Sequence, residues 1–253
     1  MNQRSNKASL PKRSLGWLVH ALTASGACVG ILSLLAVYEG KLLLALWLMT
    51  AAIMIDAVDG TFARMVKIKD VVPEIDGALL DNIVDYVNYT IVPCFILLVT
   101  DILPVHSRIF CVIAIIFASS YQFTQHDAKT SDHFFKGFPS YWNIAVIYLF
   151  FLQMSPLANF LILMLLVVMS FVPIKYVYPS RLDYLTNNKY LRLSIVLLTC
   201  LWGVATTGLL WLYPQSNNLL VGISMGYMLV YMGISLYRTF VPLDPEVLIN
   251  NAA

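Results

Sequence analysis

Eight stretches of the chain are apolar for long enough to be read as membrane-spanning helices: residues 16–38, 42–62, 78–100, 107–123, 140–154, 157–177, 193–213 and 218–237. A hydrocarbon core about 30 Å thick takes roughly 20 residues of helix, and most of the stretches match that length. The fifth and sixth meet at Ser155-Pro156 and are read as a tightly joined pair. The segments at 64–77, 124–139 and 178–192 are polar and are read as loops. The pattern predicts an all-α, polytopic membrane helical bundle of about eight transmembrane helices.

Composition agrees with that reading. The 253 residues are 59% hydrophobic and only 12% charged, against about 25% charged in a soluble domain. The net charge of +2 is too small to imply a nucleic-acid partner. Charge placement adds the orientation. Threading the chain through eight spans puts 14 of the 16 Lys and Arg residues on one side and leaves Lys41 and Arg108 on the other. By the positive-inside rule the basic side, with both termini and the loops at 64–77, 124–139 and 178–192, is cytoplasmic.

Lys12 and Arg13 before the apolar stretch Leu15 to Leu22, with small residues from Ala24 to Ala27, have the outline of a signal peptide. His20 interrupts that stretch, and the apolar run continues to Val37 as a retained span would. The expected organisation is a basic interfacial segment at 1–15, one integral domain at 16–240 and a cytoplasmic tail at 241–253. Cys28, Cys94, Cys111 and Cys200 are far apart in apolar surroundings and are read as core residues.

Four acids break the pattern. Asp56 and Asp59 end the second apolar run, and Asp81 and Asp85 open the third. An aspartate at the centre of a membrane helix costs roughly 2.5–3.5 kcal/mol. The cost is smaller near the interface, but four such residues still call for a function. Asp56 and Asp59 are spaced i, i+3, and Asp81 and Asp85 i, i+4, so each pair shares a helix face. A cytoplasmic loop joins the two helices, so the faces can converge just inside the cytoplasmic interface. Converging carboxylates suit a hard divalent cation such as Mg²⁺ or Mn²⁺. Gly60, Ala63 and Gly77 keep the neighbouring surface low, and Arg64 offers a fork for phosphate oxygens. Together these groups describe a site for a nucleotide diphosphate or a similar polyanion.

The run Asp56-Ala-Val-Asp59-Gly60-Thr-Phe-Ala63-Arg64, followed by Gly77-Ala-Leu-Leu-Asp81-Asn-Ile-Val-Asp85, resembles the signature of the CDP-alcohol phosphotransferase family, D-x2-D-G-x2-A-R and then G-x3-D-x3-D. Every fixed position is present. The resemblance implies that Asp56, Asp59 and Asp81 bridge two divalent metal ions, Mn²⁺ or Mg²⁺, with Asp85 the general base and a further metal contact. It implies that Arg64 and the metals hold the CDP diphosphate, and that Gly60, Ala63 and Gly77 make room for the nucleoside. The gap between Arg64 and Gly77 is longer than in most branches of the family. It is similar to that of the bacterial branch that joins choline to CDP-diacylglycerol and releases CMP. The stretches 136–143 and 173–181 resemble that branch as well. Its members imply a homodimer in the bacterial inner membrane, in contact with membrane lipids.

Choline is a quaternary ammonium, and proteins hold such groups on aromatic faces. Tyr86 and Tyr89 beside Asp85, and Tyr141 and Trp142 beside the 124–139 loop, are the candidates; Tyr121 borders the same loop. Lys136 and Arg181 are the candidates for the lipid phosphate. Lys129, His133 and Lys175 share their side of the membrane and are read as topology signals or headgroup contacts. His126 and His133 are read as loop residues rather than metal ligands. Two other readings stand beside this one. A sibling enzyme would use serine, inositol or glycerol phosphate, but an anionic acceptor calls for basic residues near Asp85, and its helix neighbours include none. A cation transporter would use the acids as an ion path, but it gives no reason for Gly60, Ala63, Arg64 and Gly77, and no paired repeat is visible.

Overall fold

The computed structural model describes residues 9–130, 132–178, 185–186 and 188–241. It divides into two compact units, Met1–Ile96 and Leu97–Ala253. Nearly all regular structure is helical. Among the described residues six helices, Leu10–Tyr38, Leu42–Val66, Gly77–Val99, Val105–Thr124, Lys189–Leu212 and Asn218–Phe240, are long and apolar enough to cross a membrane.

In the first unit, α1 (Leu10–Tyr38) and α2 (Leu42–Val66) pack along their length. They are joined at Gly40, which takes a left-handed φ of 73° in the turn. A short α3 (Ile68–Val71) precedes α4 (Gly77–Asp85). The packing face of α1 is a stripe of small or polar residues, Gly16, His20, Thr23, Gly26, Gly30 and Ser33, spaced by three and four. Small residues let membrane helices approach closely, and here they do. A Cβ on Gly16 would lie 2.6 Å from Val72, and one on Gly26 would lie 2.9 Å from Val84. Ser33 donates to the Ala45 carbonyl at 3.0 Å. Asp76 caps α4, accepting from the amides of Ala78 and Leu79 at 3.1 Å each, and Glu74 in the same loop pairs with Arg13 of α1. The helix begins at Leu10, so Lys12 and Arg13 lie in its first turns; residues 1–8 and the tail beyond 241 fall outside the described residues.

The helix that starts with α4 does not stay α-helical. Residues Tyr86–Ile91 wind as a π-helix before α5 (Val92–Val99) resumes. Pro93 supplies the reason. It has no N–H for the carbonyl of Tyr89, and its ring crowds that carbonyl; a wider turn accommodates both defects.

The second unit contains α6 (Arg108–Thr124), α7 (Trp142–Leu152), α8 (Pro156–Phe171), α9 (Lys189–Leu212) and α10 (Asn218–Phe240). The predicted fifth and sixth spans are the two that differ. At 11 and 16 residues, α7 and α8 rise about 16 and 24 Å, short of a full span. The sixth ends at Phe171 instead of 177 because Pro173 turns the preceding residue away from helix. Its expected last turn is extended, and Lys175–Tyr176 (β2) pairs antiparallel with Phe135–Lys136 (β1), Phe135 opposite Tyr176. Gly137 follows with φ 79°, its Cα against the carbonyl of Ser170. Phe134, Val177 and Leu185 then bury a small core against Ile195, Tyr231 and Ile234.

Candidate active site

The site is assembled from the end of α2 and the start of α4. Asp56 stands on α2, while Asp81 and Asp85 stand one turn apart on α4. All three are half-buried, and one carboxylate oxygen of each lies within 4.8 Å of the others. The predicted convergence of the two acidic faces is therefore present. At an effective dielectric of ~20, two unit charges that close repel by about 3–4 kcal/mol. An oxygen-only donor set that gathers such repulsion fits a divalent cation.

Asp59, predicted as a fourth member, is placed differently. It is only 4% exposed. It lies outside the close group formed by the other three. On α2, Asp56 therefore faces the two acids of α4, while Asp59 is buried away from them.

The residues predicted around the nucleotide are also distinguished. Gly60 opens to space occupied within 4 Å only by the Arg64 guanidinium, 3.5 Å from where a Cβ would stand. Arg64 is exposed in the last turn of α2 and is hydrogen-bonded to Thr61 at 3.1 Å, so its fork sits over a bare stretch of backbone. Ala63 is half-buried one turn from Asp59. Gly77 is different: a Cβ there would meet the His20 ring at 3.2 Å. The small residue at 77 admits His20 of α1, not an open volume.

Sequence reasoning missed the tyrosine. Tyr89 was expected to face the acceptor. Instead it is 7% exposed, and its phenol donates to Asp56 Oδ2 at 2.7 Å. The residue lies in the π-helix, so the turn forced by Pro93 helps set the ligand geometry of α2. The signal was in the sequence as Pro93 four residues after Tyr89. Tyr86, half-buried, opens the same turn.

The remaining candidates lie in the second unit. Trp142 does not offer the aromatic face expected of it. It is fully buried, its indole N–H donates to Ser119 at 2.8 Å, and its ring is packed edge-on to Phe138. Tyr141 is half-buried, edge-on to Phe135. Tyr121 lies against Phe171. Lys136 is paired with Asp127 at 2.5 Å, and that hydrogen bond raises the ammonium's pKa and lowers the carboxylate's. Arg181 lies outside the described residues. Asp132, only 8% exposed, pairs with Lys175 at 2.5 Å. Burial works to raise its carboxyl, but the hydrogen bonds from Lys175 and Thr130 and the Lys175 charge outweigh burial and hold it below the usual range.

Comparison with known proteins decides the family. The family profile described as CDP-alcohol phosphatidyltransferase matches residues 17–172, well over half of the chain. The chain belongs to the CDP-alcohol phosphatidyltransferase family. Its similarity to individual members extends beyond the motif. It is 48% identical to a phosphatidylcholine synthase of Legionella pneumophila over 253 residues, 99% of each chain. It is 49% identical to one from Legionella bozemanae over 217 residues, covering 85% of this chain and all of that one. A phosphatidylcholine synthase of Borreliella burgdorferi is 40% identical over 187 residues, 74% of this chain and 79% of its own. Membership in a family of phosphatidyltransferases sets aside the transporter reading of the four acids.

Proposed function

We propose that this chain transfers the phosphatidyl group of CDP-diacylglycerol to choline, giving phosphatidylcholine and CMP, at a cytoplasmic-facing site in the bacterial inner membrane. The observation that carries the reading is the convergence of Asp56, Asp81 and Asp85 beside Gly60 and Arg64. The choice of choline rests on the named activity of relatives that match 99% and 85% of the chain and on the lack of a basic helix neighbour at Asp85.

Asp56, Asp81 and Asp85 would hold a divalent cation, Mn²⁺ or Mg²⁺, with Asp59 the fourth carboxylate if a second ion binds. The metal would neutralise diphosphate charge and stabilise the leaving CMP. Arg64, exposed over Gly60, binds phosphate oxygens from the open side, and Ala63 leaves the same surface low. Asp85 accepts the choline hydroxyl proton. The freed oxygen forms its bond to the lipid-bearing phosphorus as the bond from that phosphorus to CMP breaks. A carboxylate is a weak base, and positioning supplies much of its effect. The two helices hold the acceptor oxygen and the phosphorus in one place, and a site within the membrane boundary limits access of water. The chain is further proposed to work as a homodimer among membrane lipids.

The decisive experiment supplies purified protein with CDP-diacylglycerol, Mn²⁺ and labelled choline. Labelled lipid and an equal amount of CMP are expected. Product with serine or inositol but none with choline would move the acceptor and keep the family, and absence of CMP release with every alcohol would overturn the transferase reading.

A further inference from the structure

Two segments of the second unit, 135–143 and 173–178, are unusually rich in aromatic residues. The fold brings them together. The antiparallel pairing of β1 with β2 sets the first beside the second, and the amide of Gly137 donates to the Ile174 carbonyl at 2.9 Å. The pairing is reinforced from the preceding loop, where Lys129 bridges to Phe135 and the amide of Lys136 donates to the Ala128 carbonyl at 2.9 Å. Backbone pairing therefore fixes where Lys129 and Phe135 stand, and Tyr178 follows β2 by two residues.

Three aromatic rings meet there. The centroids of Phe135 and Tyr178 are 4.7 Å apart with their planes inclined at 54°. Tyr141 stands edge-on to Phe135 at 6.2 Å. All three are half-buried, so each retains accessible surface. The inclined pair is already engaged by a cation: the Lys129 ammonium lies 5.9 Å from the centroid of Phe135 and 5.7 Å from that of Tyr178. The lysines of the two segments themselves are held by carboxylates, Lys136 by Asp127 and Lys175 by Asp132. The described partners of Lys129 are rings.

Rings that hold an ammonium through their faces can hold a quaternary ammonium in the same way, and they favour it, because a trimethylammonium group is poorly hydrated and fills the angle between two rings. Lys129 is exposed on a flexible stem and can swing into water, where its ammonium is well solvated. From this geometry we infer that the Phe135–Tyr178 pair, edged by Tyr141, is a binding site for a trimethylammonium group, occupied by the Lys129 ammonium until that ligand displaces it. The inference rests on the proposed choline activity for its physiological occupant, which is either free choline or the choline headgroup of the product lipid.

The test is calorimetric titration of the full chain in detergent with choline chloride, and separately with dihexanoyl-phosphatidylcholine below its critical micelle concentration. Phe135→Leu with Tyr178→Leu should weaken one of the two by roughly tenfold. Tyr178→Phe, which keeps the ring, should preserve it. Lys129→Met should strengthen the same titrant severalfold, because the tethered competitor is gone. The titrant affected identifies the occupant. If the double variant does not fold, Lys129→Met decides alone. Wild-type protein that binds neither titrant, or affinities unchanged in variants that melt like wild type, would overturn the inference. Binding needs no turnover, so a site that responds as expected in a protein without choline transferase activity would count against the proposed function only.

Discussion

Replacing Tyr89 with Phe separates two roles that its position beside Asp85 leaves open. The ring is 7% exposed, so Phe fills the same volume and leaves no cavity. What is lost is the phenol O–H that donates to Asp56 Oδ2 at 2.7 Å. A hydrogen bond to a charged group contributes about 1.5–3 kcal/mol, which is roughly 10–150-fold in an equilibrium constant. Groups that orient a metal ligand are typically worth 10–100-fold in metal affinity, and the two ranges agree. Tyr89→Phe should therefore weaken Mn²⁺ binding by at least tenfold. Electron paramagnetic resonance of free Mn²⁺, titrated into purified protein without substrate, measures that directly. The Mn²⁺ concentration for half-maximal CMP release should rise in parallel, while the choline KM at saturating Mn²⁺ stays near wild type. Unchanged Mn²⁺ affinity with a raised choline KM would refute the reasoning and return Tyr89 to the acceptor site.

Three further outcomes are expected. Asp85→Asn should nearly abolish phosphatidyl transfer while retaining substantial CDP-diacylglycerol binding, measured by turnover and by equilibrium binding; wild-type-like turnover would rule out its role as base. Gly137→Ala forces a Cβ at φ 79° against the Ser170 carbonyl and should destabilise the fold by roughly 2–4 kcal/mol, read from denaturant unfolding. Asp132 has its carboxyl held below the unfolded value, so its stabilisation is present above about pH 4 and is lost as pH falls through the lowered value; Asp132→Asn should be less stable at pH 7 and should lack that acid limb in melting midpoints taken from pH 3 to 7.

The parts of this fold that were legible in the sequence are those set by local periodicity. Long apolar runs gave the six full-length helices, and the i, i+3 and i, i+4 spacings gave each acid pair its face. The misplaced parts depend on contacts between distant residues. Pairing of 135–136 with 175–176 has no local signature, and only Pro173 warned that the sixth helix would end early. Trp142 looked like an interfacial aromatic because it flanks a polar loop, yet the loop folds so that Phe138 and Ser119 enclose it. Tyr89 looked like an acceptor contact because it follows Asp85 by one turn, and the π-helix before Pro93 gave its hydroxyl to Asp56.

The division among the four aspartates follows from α1, a helix to which the motif assigns nothing. Spacing alone cannot say which carboxylate of a pair points at the neighbouring helix, because both lie on one broad face. That choice is made by how α2 sits against α1, where Ser33 donates to the Ala45 carbonyl, while the α1 glycines at 16, 26 and 30 meet Val72, Val84 and Asn88 of the segments that follow α2. Bulky residues at Gly26 and Gly30 would push Val84 and Asn88 away from α1 and displace the helix that carries Asp81 and Asp85. His20 of α1 fills the space that Gly77 leaves. The repeat of small residues at intervals of three and four was readable in the sequence, and it belongs with the acid motif as a condition for it. A larger residue at Gly26 or Gly30 should therefore reduce metal affinity without touching a ligand, because it separates α1 from the helix that carries Asp81 and Asp85.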